Sequence, residues 1–483
     1  MPRPGIALVL LVLTASPAVA AAPGVPSPPQ HEHPAPPEGD PEGEPDPEEG
    51  EEEGSPKGRQ PRAGAEPTPQ RHPPTPAMPP AHREPMGDHA MVMPGLLGPY
   101  PAGREASGTS WQPEATPHEA RHGTRGPWSW MAHARAHAVY THQGGGRGEE
   151  DVYSTNMAMG ALRRPLGHGT LGLRGMLSLE PTTVGEEGYP LLLQTGETAD
   201  GVSELVDRQH PHDLFMELAA TYSRSLGAEG SVYVYAGLPG EPALGPPAYP
   251  HRFSAFESPE APLAHHWLDS THITFGVVTA GWIRGPLKLE ASAFRGAEPD
   301  EERWDLEAGR LDSWSARVSW NPGPSWALQA SRGRLEAPEQ LEPEVDTVRS
   351  TLSVIRHGAW QGGMWQATLA WGRNANDPGQ TLDALLLEGT ARLAGRHTLF
   401  ARAERVENDE LLPPGEDGDE LAHGEVFRVG AASAGYLFDL LRGTGFAVAV
   451  GGIARLSLVP RALEAEYGDD PFSWSLVVRT AVR

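Results

Sequence analysis

The stretch WMAHARAHAVY, Trp130 to Tyr140, decides the fold. Its even positions are Trp130, Ala132, Ala134, Ala136, Ala138 and Tyr140, and its odd positions include His133, Arg135 and His137. Successive side chains of a strand point to opposite faces. One face is therefore a small apolar stripe closed by an aromatic at each end, and the other carries imidazoles and a guanidinium. A soluble sandwich would bury the apolar face, whereas a membrane barrel would turn it to lipid and close the polar face around a lumen.

The same alternation recurs along the chain. Leu171, Leu173, Leu177 and Leu179 alternate with Thr170, Arg174, Ser178 and Glu180, and Leu214, Met216, Leu218, Ala220 and Tyr222 alternate with Asp213, Glu217, Thr221 and Ser223. Leu287, Leu289 and Ala291 oppose Lys288 and Glu290, Trp314 to Trp320 oppose Arg317, and Trp365 to Trp371 oppose Gln366 and Thr368. Phe446, Val448 and Val450 follow, and Phe472, Trp474, Leu476 and Val478 close the series. Period two in many segments, separated by Gly, Pro, Asn and Asp, reads as an all-β chain of about fourteen to sixteen strands. Aromatics at the ends of the stripes, and connections that are either tight (Asn321 to Pro324) or long (181–209, 239–269), favour an antiparallel transmembrane β-barrel over residues 128–483. The final residues, Thr480 to Arg483, lack the terminal aromatic that barrels commonly offer to the insertion machinery, a partner this fold requires.

Upstream, Arg3, the apolar run Ile6–Thr14 and Ala18-Val19-Ala20 form a secretory signal peptide over 1–21, too short to span a bilayer. Export as a barrel implies the outer membrane of a Gram-negative bacterium, outer-membrane lipid as a partner, and a periplasmic tail. Residues 22–95 are rich in Pro, Glu and Gly, lack the apolar content to fold, and end in the Met/His cluster Met86, His89, Met91 and Met93. Residues 96–127 are irregular, either a periplasmic lead-in or a plug folded into the lumen. Cysteine is absent, so stability rests on packing and ladder hydrogen bonds. With 64 acidic against 38 basic residues, the chain lacks the basic surface that nucleic acid requires.

Two sets of residues carry candidate chemistry. The thioethers and imidazole of Met86, His89, Met91 and Met93, with His210, His212, Asp213, His265, His266 and His272 at the strand ends of the long loops, form a possible metal-ligand set, with a copper ion as the cofactor they would suit. His133, Arg135, His137, Arg174, Glu217, Lys288, Glu290, Arg317, Arg402 and Glu404 fall on the lumen face and would line or fill the interior, where charged rings select ions. A metal ion or a small polar solute would then be the partner inside the barrel. Histidines that merely bond loop backbone, and charges that merely plug the lumen, explain the same residues.

Several long stretches resemble one family: GREASGTSWQPEATPHE (103–119), GYPLLLQTGETADG (188–201), DRQHPHDLFMELAATYS (207–223), YAGLPGEPALGPPAYPHR (235–252), APLAHHWLDSTHITFGVVTAGW (261–282), RWDLEAGRLDSWSARVSWNP (303–322), EQLEPEV (339–345) and FARAERVENDEL (400–411). It is a family of uncharacterised Gram-negative outer-membrane β-barrel proteins with Met/His-rich N-termini, often found with copper and other heavy-metal handling systems. The resemblance covers roughly residues 86–483 and implies fold, location and an association with metal. The function expected is a channel or a copper-type transport or resistance barrel. A structural barrel with a filled lumen is the first alternative. An outer-membrane hydrolase using Asp207, His210, His212, Asp213 or Ser270 is the second. With no Gly-x-Ser-x-Gly elbow and no HExxH, the chain reads as a non-enzyme.

Overall fold

The computed structural model describes residues 93–412 and 424–482. The expected signal peptide, the acidic tail through residue 92, and Met86, His89 and Met91 within it lie outside the described residues. No helix among the described residues is long and apolar enough to cross a membrane.

The strands are β1 (Trp128–His142), β2 (Glu150–Leu166), β3 (Gly169–Leu177), β4 (Phe215–Ser225), β5 (Gly230–Gly237) and β6 (Val277–Arg284). They continue with β7 (Leu287–Phe294), β8 (Ser313–Trp320), β9 (Trp326–Leu335), β10 (Asp346–Trp360) and β11 (Gly363–Asp377). The last are β12 (Thr381–Leu393), β13 (His397–Asn408), β14 (Phe427–Gly443), β15 (Phe446–Leu458) and β16 (Phe472–Val482). Each pairs antiparallel with the next, and β16 closes on β1 through registers such as Trp474↔His142 and Val482↔Ala134. The result is an all-β, 16-stranded antiparallel barrel. Within the segment expected to be irregular, Arg121–Arg125 forms a short strand that continues the ladder on β1 where β16 ends, pairing Arg121 with Ala132 and Arg125 with Trp128.

The two ends differ. One carries short turns, such as 285–286, 361–362 and 444–445, and the other carries long connections, above all 178–214, 238–276 and 295–312. Outward stripes fall where the alternation puts them: Leu289, Trp314, Val318, Trp320, Leu369 and Leu476 are exposed while Lys288, Glu290, Arg317 and Thr368 are buried inside. Trp130, Tyr222, Trp320, Trp326, Trp360, Trp365 and Phe446 ring the turn end, and Tyr140, Trp314, Phe472 and Trp474 lie toward the loop end. An apolar exterior between aromatic belts, closed with no free sheet edge, is a lipid-facing wall, and unequal ends are the pattern of the Gram-negative outer membrane.

One expectation about the stripes is corrected. Met216 does not share the outward face of Leu218 and Tyr222. A bulge between Met176 and Leu177, which pair with Glu217 and Phe215, leaves Met216 unpaired, and its side chain is buried. A single extra residue changes the phase of a strand and re-aims its side chains.

Candidate functional site

The lumen of this barrel is filled by its own chain. Two segments enter it: residues 94–119 from the turn end, and the connection 238–276 from the loop end. Inward side chains of the barrel strands hold them there. Lys288 Nζ donates to the backbone carbonyl of Thr109 and lies over the Trp111 ring. Arg317 donates to Thr109 Oγ1 at 2.9 Å, to the carbonyl of Gly245 at 3.0 Å, and to Glu290 at 3.0 Å. Glu290 also pairs with Lys288 at 3.1 Å. Arg174 reaches the carbonyls of Ala106 and Gly108 and pairs with Glu217 at 2.7 Å. Arg135 donates to the carbonyl of Phe256 at 3.0 Å and faces Glu257 at 3.4 Å. Arg402 bonds the Glu260 carbonyl at 3.0 Å and Glu388 at 3.3 Å, and Glu404 accepts from the backbone N–H of Ala264 at 3.1 Å. His137 is buried beside Thr155, and His133 faces Met159 and His251.

These charges do not form one ring around an open channel. They form local groups, each fastening a different part of the inserted chain. One of them centres on Arg252, fully buried on the inserted loop, which donates to Glu388 on β12 at 2.6 Å and to Asp269 at 3.0 Å. Burying such ions is affordable only when their partners are close and complete.

The histidines of the two long loops, distant in sequence, meet at the loop end. Ring centroids run from His210 to His266 (5.8 Å), His266 to His265 (5.3 Å), His265 to His272 (5.1 Å) and His272 to His212 (5.2 Å). Two are oriented by carboxylates, His212 Nδ1 by Glu180 and His265 Nδ1 by Asp269, each at 2.8 Å, while Glu197 lies 3.1 Å from His210 Nε2 without a hydrogen bond. His272 donates Nδ1–H to the carbonyl of Asp269, which leaves Nε2 bare. Asp213 faces Arg303 at 3.5 Å. Ser270 bonds Glu298 and Arg349, each at 2.8 Å, and makes no hydrogen bond to His272. The nucleophile–base pairing of the hydrolase alternative is therefore not formed there.

The histidine nitrogens do not converge on one point. Among the described residues, the group whose ligand atoms lie within 4.8 Å of one another is His266, Glu298 and Glu339. Neither nitrogen of the buried His266 makes a hydrogen bond, nor does Glu298 Oε2. His266 Nδ1 stands 3.8 Å from Glu298 Oε2, too far for a hydrogen bond. Two ligands about 2.0–2.1 Å from a tetrahedral metal are roughly 3.3 Å apart, so a small contraction would seat one. The geometry has a local cause. The loop of Glu298 is tied to that of Glu339 by a hydrogen bond from Glu298 N to the carbonyl of Pro338, and Asn374 on β11 holds the His266 carbonyl.

Around this group lies an enclosed pocket whose wall includes Glu204, Glu342, Asp409, Glu410 and one cation, Arg349. Burial lowers His266 to about 4, so its imidazole is neutral at physiological pH. Burial, with the neighbouring carboxylates of Glu298, Glu410 and Glu197, holds Glu339 well above the usual carboxylate range, so it retains a proton that a cation would displace. Glu298 and Glu339 were not singled out from sequence. Their only signal is position, in the acidic, proline-containing loops 297–302 and 336–345. Met93, the described member of the N-terminal cluster, is far from these loops, in the wall of a cavity at the turn end.

No family profile matches the chain, and no curated protein sequence matches it. Solved structures resemble its fold. A complex of Salmonella typhi OmpF with daunomycin is 8% identical, with TM-score 0.46, covering 75% of this chain and 100% of that one. The outer-membrane channel DcaP of Acinetobacter baumannii is 10% identical, with TM-score 0.43, over 74% and 98% of the two chains. An anion-selective porin from Comamonas acidovorans is 11% identical, with TM-score 0.41, over 73% and 99%. Identities this low carry no residue or solute from those proteins onto this chain. The likeness is one of overall fold, a closed antiparallel β-barrel.

Proposed function

We propose that this protein is an outer-membrane barrel that handles metal ions by binding rather than by open diffusion, with His266, Glu298 and Glu339 as a divalent-cation centre at its outer mouth. Residues 94–119 and 238–276 act as plug and inserted loop. One imidazole nitrogen with two carboxylates suits a borderline cation such as Zn(II), Ni(II) or Cu(II). The surrounding carboxylates raise the local concentration of cations, and the histidines at 210, 212, 265 and 272 form an imidazole row behind the centre.

The observation that carries this reading is the set of three buried, unbonded ligand atoms, two on His266 and one on Glu298. Burying such groups without partners is costly, and a metal would satisfy them. A purely structural barrel would share the filled lumen and bind nothing there. Zn(II) titration of the folded full chain by calorimetry separates the two. His266→Ala and Glu298→Gln should each weaken the tightest event by about 10-fold or more. Unchanged binding in both variants would overturn the assignment.

A further inference from the structure

The barrel interior holds a second cluster, of different chemistry. Of the 11 methionines in the chain, five meet here: Met159, Met176 and Met216 are buried together, and Met131 and Met157 pack against them. They come from β1, β2, β3 and the bulged residue of β4, so the phase change at Met216 is what completes the group. Two imidazoles are turned toward its sulfur atoms. His133 Nε2, on β1, lies 3.3 Å from Met159 Sδ, and His251 Nε2, on the inserted loop, lies 3.0 Å from Met176 Sδ. The two rings are 6.0 Å apart, edge to face. The cluster borders a cavity of about 160 Å³ whose wall includes Met131, Met157, Met159, His133 and His251.

Methionine fills irregular gaps in apolar cores, and that alone would explain a methionine patch. It does not explain the imidazoles. A thioether is a weak acceptor, and a buried imidazole ordinarily takes an oxygen partner. Here both Nε2 atoms are aimed at sulfur. For a d¹⁰ ion with metal–sulfur about 2.3 Å and metal–nitrogen about 2.0 Å, sulfur and nitrogen ligands at the tetrahedral angle are roughly 3.5 Å apart. The observed 3.3 and 3.0 Å are somewhat shorter, so a small expansion would seat the ion.

We propose that Met159, Met176, His133 and His251 form a binding site for a soft monovalent cation, Cu(I) or its redox-inert analogue Ag(I). Thioethers select such ions, whereas the nitrogen–carboxylate centre at the loop end suits harder divalent ones. The two sites stand on different residues, so either can fail without the other.

The test is Ag(I) titration of the folded full chain in chloride-free buffer. The chain carries M86L, H89Q, M91L and M93L so that the N-terminal Met/His cluster stays silent. The expected result is about one tightly bound Ag(I), weakened about 10-fold or more by M159L with M176L, while Zn(II) binding is unchanged. Leucine keeps the apolar volume, so packing loss should be small. In the protein with its barrel methionines intact, Ag(I) should also shift the methyl resonances of Met159 and Met176, a readout that does not depend on the double variant folding. Silver affinity equal in both proteins, or methyl resonances that do not move, would overturn the proposal.

Discussion

Replacing Arg252 with methionine should release the inserted loop from the barrel wall. The guanidinium is fully buried and spans two carboxylates, Glu388 on β12 at 2.6 Å and Asp269 within the loop at 3.0 Å, and it also caps the Pro247 carbonyl. Arg402 is the other cation on Glu388, at 3.3 Å, and cannot reach both acids with the same geometry. Methionine preserves much of the volume but leaves two buried carboxylates facing one cation. Removing one partner of a buried pair costs about 3–5 kcal/mol, because the remaining charge is uncompensated. At about 1.4 kcal/mol per tenfold, the equilibrium between seated and released loop shifts by roughly two to three and a half orders of magnitude. Hydrogen exchange read by mass spectrometry would register this as lost protection in peptides from 240–276, where Arg252 N bonds the Ala248 carbonyl and Asp269 N the His265 carbonyl. Protection in β10 to β15 should not change. Neutralising the acids as well, in R252M with E388Q and D269N, should restore part of the loss. Wild-type protection of 240–276 in the single variant would refute the role given to Arg252.

Lys288→Met removes the donor to the Thr109 carbonyl and the partner of Glu290 at 3.1 Å, so peptides spanning 104–112 should exchange faster while the barrel ladder stays protected. The loop end should also respond to pH. Burial raises Glu197 to about 8, Asp213 to about 7 and Glu410 to about 8. The folded state therefore holds extra protons, and this contribution is present below about pH 4 and lost as pH rises toward about 8. His210, His266 and His272 are lowered by burial, His266 to about 4, so their contribution is present above about 6.5 and lost as pH falls. The metal-free loops should thus pack best near pH 5–6, and limited proteolysis at matched protease activity should cut 178–214 faster at pH 8.5 than at pH 6. Equal or slower cutting at pH 8.5 would contradict the burial of these acids.

The barrel wall was legible in sequence because strand alternation is local. Trp130 to Tyr140 states its two faces without knowledge of its neighbours, and so do Leu287 to Phe294 and Phe472 to Val478. Met216 was misread because a bulge is set by pairing with β3, not by the residues of β4 alone. The histidines announced themselves by type and by position at strand ends. Glu298 and Glu339 did not, since acidic loops are common and only a backbone bond between two loops brings these acids to His266. A plug was one of two readings open for residues 96–127, but the contacts that seat it were hidden. Thr109 meets Lys288, 179 residues later, and nothing near either residue specifies the other.

The central claim is that the lumen around His133, Arg135 and His137 is packed with the protein's own chain rather than open. Single-channel recording in planar bilayers tests it directly. The full-length folded protein should show no steady conductance, whereas a chain lacking residues 94–119 should show discrete openings. A stable, large conductance from the intact protein would contradict the account.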